Sequence, residues 1–141
     1  MERSPPRMTT TLPRPASPAI EDLIGEAHRR GLRVWWRRLG DRDGAWSCRH
    51  GGIWLRPDLT AAEACSVLAH ELGHAHYNDV GPQGDREEAR AWRFAARHLV
   101  DVDSYAAAEQ EHGPHPGALA AALGVTPDVV KAFQSMMRSL L

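Results

Sequence analysis

One five-residue run carries the residue types and spacing for metal-assisted hydrolysis: His70-Glu71-Leu72-Gly73-His74, an H-E-x-x-H pattern. At 3.6 residues per turn, positions four apart lie on one face of a helix. Both imidazoles can therefore reach a single ion at the roughly 2.0–2.1 Å bond length that zinc prefers. Glu71 projects to another side, where its carboxylate can accept a proton from a water that the ion activates instead of binding the ion itself. At this chain's His and Glu content such a run arises by chance about 0.03 times, so the competing reading, two ordinary helix histidines, has to be weighed against a third ligand.

A catalytic zinc normally takes three protein ligands and keeps a fourth position open. Glu87 and Glu88 are the candidates. On a helix, Glu88 shares a face with Ala91, Trp92, Ala95 and Leu99, and Glu87 shares a more polar one with Arg90, Ala91, Phe94 and His98. Small Ala91 and Ala95 would let this helix approach the His70/His74 helix closely, which favours Glu88; Glu87 stays open as the alternative. Whichever glutamate is not a ligand fits the acidic enrichment of a helix's first turn. Tyr77, His76 and His98 are available as donors to a developing oxyanion. Each reads more simply as a half-buried anchor, a solvated helix residue and a C-terminal helix cation, respectively.

These groups need helices to hold them. Thr60-x-x-Glu63 is a capping box, and Ala61, Ala64, Cys65, Leu68, Leu72 and Ala75 continue one apolar face, predicting a helix from Thr60 to about Asn78. Gly81, Pro82 and Gly84 break the chain before a second core helix over Arg86–Val100. Shorter helices are predicted at Ser104–Glu111, Pro116–Leu123 and Pro127–Leu140, the last capped by Thr126. Upstream, Ile20, Leu23, Ile24 and Ala27 recur at helical spacing until Gly31. Leu32–Leu39 and Trp46–Leu55 read as strands separated by an Asp43-Gly44 turn signal. That predicts a hairpin or small three-stranded sheet, with Gly51-Gly52 as a second turn or bulge.

At 141 residues one domain is expected, residues 19–141, following a disordered leader over 1–18 that holds five of the 10 prolines. Hydrophobic and charged shares of 43% and 25% exclude a wholly disordered or collagen-like chain. A net charge of -1 provides no global field toward nucleic acid or an anionic membrane. Two cysteines are too few for a disulfide framework, and no run approaches the roughly 18 apolar residues of a membrane span. No secretory h-region is visible, so the expected location is the cytoplasm.

HELGHAHYND followed by REEARAWRFAARHLV resembles the ImmA/IrrE family of small zinc metallopeptidases, with its phage-type members nearest. In that family H-E-x-x-H is followed, after a short loop, by a helix carrying E-x-x-A and an F-A or W-A-A pair; Glu88, Ala91, Phe94, Ala95 and Ala96 match in register. The chain departs from the E-x-E-A of many members at Arg90, which bears on the third ligand and not on the His pair. The resemblance implies an α+β, mainly helical zincin-like domain with a small N-terminal sheet. It also implies a zinc site of His70, His74 and Glu88 with Glu71 as base, and cleavage of a phage or mobile-element repressor. The rival is a non-catalytic regulatory module that binds protein or DNA through two other features. One is the segment Arg29–Arg42, with six arginines around Trp35 and Trp36. The other is the helix-turn-helix-like stretch Ala118–Ala132. Strand alternation would send the two tryptophans to opposite faces, and Lys131 and Arg138 are the cations of the last helix, so nucleic-acid binding is disfavoured. His112 and His115 read as exposed polar residues, and His28 and His50 have no spacing partner.

Overall fold

A computed structural model of the chain describes residues 19–140; the expected leader and Leu141 lie outside the described residues. Six helices and three short strands follow one another as α1 (Ala19–Arg29), β1 (Arg33–Trp36), β2 (Gly44–Ser47), β3 (Gly52–Leu55), α2 (Ala61–His76), α3 (Asp85–Leu99), α4 (Val102–His112), α5 (Pro116–Leu123) and α6 (Pro127–Ser139). The fold is α+β and mainly helical, with the sheet at its N-terminal side.

The sheet order is β1-β3-β2, with β1 parallel and β2 antiparallel to β3. A hairpin across Asp43-Gly44 therefore does not form. Gly44 is the first residue of β2, and a Cβ there would lie 2.6 Å from Val67 Cγ1, so this glycine lets the strand cross closely over α2 instead of making the turn. The true hairpin joins β2 to β3 through residues 48–51, where Gly51 takes φ +66. Alternation along β1 holds: Trp36 packs against the core, whereas Trp35 stacks on Trp54 at 4.9 Å between ring centroids.

α2 is the centre of the molecule and packs against α1, β2, β3 and α3. Its start is set by the capping box: Thr60 Oγ1 accepts from the Glu63 N–H at 3.1 Å and Glu63 Oε1 from the Thr60 N–H at 2.9 Å. Every residue from Ala64 to His74 is buried, so this helix has no solvent face over most of its length. Leu68 and Leu72 are fully enclosed with Ile53 and Leu55 of the sheet, each such side chain contributing about 1.5–3 kcal/mol of apolar burial. α6 packs on α3 and buries Val129, Val130 and Phe133. The stretch that resembled a helix-turn-helix thus contributes its last helix to the core.

Candidate metal centre

α2 and α3 meet where neither has side-chain bulk. A Cβ on Gly73 would lie 2.9 Å from the Ala91 carbonyl oxygen and 3.0 Å from Ala91 Cα, and Ala91 and Ala95 are fully buried. That approach carries Glu88, three residues before Ala91, to the imidazoles of α2. His70 Nε2 lies 2.8 Å from Glu88 Oε1 and His74 Nε2 lies 3.4 Å from Glu88 Oε2. One ligand atom from each of the three residues falls within 4.8 Å of the others. Neighbouring ligands of a tetrahedral zinc stand roughly 3.4 Å apart, so two imidazole nitrogens and one carboxylate oxygen fit one ion with small adjustments. Glu87 is elsewhere: its carboxylate accepts the Gly84 N–H at 3.0 Å at the start of α3.

Glu71 is buried, with Oε2 3.3 Å from His70 Nδ1. Burial disfavours a charged His70, but the hydrogen bonds and charges of Glu71 and then Glu88 outweigh it, leaving the imidazole pKa above its ordinary value. Trp92 stacks on the same ring at 4.1 Å and 27°.

Behind His74 lies Asp79, which has no place in the motif. α2 ends in a Schellman arrangement: the Asn78 N–H donates to the Ala75 carbonyl at 3.0 Å and the Asp79 N–H to the His74 carbonyl at 2.9 Å, with Asn78 at φ +54. This reversal folds Asp79 back under the helix it has just left. Its Oδ2 is 3.0 Å from His74 Nδ1, its Oδ1 accepts from Arg90 Nη2 at 2.6 Å, and its carbonyl accepts the Trp46 indole N–H at 2.8 Å. Arg90, where the chain departs from the E-x-E-A pattern, is thus the partner of a buried carboxylate. The sequence signal for Asp79 was the Asn-Asp pair just past the helix, since Asn tolerates the left-handed conformation that such a cap requires.

Two clefts flank the cluster. One, of about 340 Å³, is lined on the His74 side by Trp46, Ser47, Cys48, Arg49 and Val80. The other, of about 390 Å³, is lined on the His70 side by Gly44, Glu63, Trp92 and Asp128. Arg42, Glu71 and Glu88 line both, so they form the saddle between them. Both clefts run along β2, a terminal strand of the sheet. Neither is lined by Tyr77, His76 or His98. Those three gather around Phe94: His98 stacks on its ring at 4.3 Å, and Tyr77 meets it edge-on at 6.5 Å. His76 accepts a hydrogen bond from Arg30 at 3.0 Å. Burial, then the charges of Arg30, His98 and Arg97, hold the His76 pKa below the ordinary imidazole value. His115 caps α5, its Nδ1 accepting the Gly117 N–H at 3.1 Å.

An H-E-x-x-H helix whose imidazoles meet a carboxylate from the next helix, beside the terminal strand of a sheet, defines a metallopeptidase-type domain. Its family follows from sequence: the chain belongs to the peptidase M78 family, the IrrE N-terminal-like domain, whose model matches residues 27–133. No curated protein matches the chain. Among the described residues, no helix is long and apolar enough to cross a membrane.

Proposed function

We propose that the protein is a zinc-dependent endopeptidase that hydrolyses a peptide bond in a cytoplasmic regulatory protein, a phage or mobile-element repressor. The observation that carries this reading is the meeting of His70, His74 and Glu88 within 4.8 Å at the saddle between two clefts. These three side chains would hold the ion. Zinc bound there supplies Lewis acidity, activating a water and polarising the scissile carbonyl. Glu71 accepts the proton of the attacking water and delivers it to the leaving amine. Arg42 is the cation common to both cleft linings and stabilises negative charge that develops on the carbonyl oxygen. An extended substrate segment adds to the outer edge of β2, the terminal strand among the described residues, which leads it across the saddle.

The test is metal content together with cleavage. Protein purified without a metal-affinity column is expected to carry near-stoichiometric zinc that His70→Ala abolishes. Glu71→Gln is expected to keep the zinc and to cut a repressor encoded beside the gene at least about 100-fold more slowly, read as new peptide termini by mass spectrometry. A folded wild-type protein that stays empty after zinc is offered would overturn the reading.

A further inference from the structure

We infer that Asp79 and Arg90 act as a positioning pair for His74, holding its ring in the tautomer and orientation that present Nε2 to the cluster. The inference rests on the metal reading above and extends it to two residues outside the ligand set.

A carboxylate only accepts hydrogen bonds, so at 3.0 Å from Asp79 Oδ2 it is His74 Nδ1 that bears the proton. Nε2 is thereby the ring nitrogen turned toward Glu88, 3.4 Å from its Oε2, and the one available to an ion. Both oxygens of Asp79 are engaged, one by the ring and one by Arg90, and the residue is only 9% exposed. Arg90 holds the carboxylate from α3, the helix that also carries Glu88. The two helices thus meet on both sides of the ring, where Glu88 approaches Nε2 at 3.4 Å and where Asp79 and Arg90 tie down Nδ1. The Arg90 guanidinium carbon lies 4.1 Å from the centroid of the Tyr77 ring, which limits its movement. Arg90 lines neither cleft, so its effect passes through Asp79 and not through substrate contact.

An ordinary ion pair between a helix and a loop would affect stability alone, whereas a positioning pair sets the affinity of the ion. Zinc affinity measured by competition with a chromophoric chelator is expected to fall about 10–100-fold in Asp79→Asn and about 10-fold in Arg90→Gln, with Arg90→Lys recovering most of the latter. The visible absorption of the cobalt-substituted protein is expected to change in the same order. A second readout uses the wild type alone. Long-range nitrogen–proton NMR of the zinc-loaded protein is expected to show the His74 Nδ1 proton far downfield and slow to exchange with water, as a hydrogen bond to the buried Asp79 carboxylate requires, and a fast-exchanging proton there overturns the pair even if the variants do not fold. Wild-type zinc affinity and an unchanged cobalt spectrum in folded Asp79→Asn and Arg90→Gln would overturn the pair, as would a proton on Nε2. A wild type that binds no zinc would instead remove the metal reading on which the pair rests.

Discussion

At the scale of single residues, His70 is where the charges of the cluster meet. Its two ring nitrogens face two carboxylates, Glu88 at 2.8 Å and Glu71 at 3.3 Å, and folding raises its pKa above the ordinary value. A group raised on folding contributes stability that is complete below its unfolded pKa and is lost as the pH rises through the folded value. Metal-free wild type is therefore expected to exceed His70→Gln in thermal stability most at about pH 5.5–6, with the gap narrowing toward pH 8. A gap independent of pH would contradict the assignment. The H-E-x-x-H spacing announced both imidazoles because one turn of helix suffices to align them. It left Glu87 and Glu88 to be separated by the packing of a second helix.

At the scale of elements, the distance between α2 and α3 decides whether Glu88 reaches the imidazoles. In an ordinary helix interior Gly→Ala stabilises by up to about 1 kcal/mol. Gly73→Ala is expected to do the reverse, because the new methyl meets the backbone of Ala91, which cannot move aside cheaply. The expected cost is about 1–3 kcal/mol in urea unfolding. Separation of the helices at Ala91 also withdraws Glu88, so zinc affinity is expected to drop together with stability. The cap of α2 makes a parallel case. Asn78 sits at φ +54, so Asn78→Gly is expected to be nearly neutral and Asn78→Val to cost about 1–2 kcal/mol, read from the same unfolding curves. The helices from Thr60 onward were legible to within about two residues, since caps and apolar stripes act over a turn or two. The three-stranded sheet and its turn at Gly51 were legible, but the strand order was not: Gly44 carried a turn signal and serves instead as a close approach to Val67.

At the scale of the whole molecule, the buried core runs continuously through α1, the sheet and all the later helices, and it does not depend on the cluster for its apolar contacts. The chelated protein is therefore expected to keep its helical circular dichroism, unlike small zinc domains that unfold without metal. Zinc at about 1,000 times its dissociation constant should still add about 4 kcal/mol, raising the unfolding temperature by on the order of 10 °C. Calorimetry with and without chelator measures this, and the shift should vanish in His70→Ala. What the sequence by itself determined is local: a capped helix, two imidazoles one turn apart with a carboxylate between them, and glutamates at the head of the next helix. Those features depend on neighbours within about four positions. Only the tertiary structure decided that Glu88 and not Glu87 reaches the imidazoles, that β3 lies between β1 and β2, and that Asp79 and Arg90 stand behind His74. Each of these depends on how closely segments distant in sequence approach one another. That distance is set by packing at Gly44, Gly73 and Ala91, and no spacing along the chain encodes it.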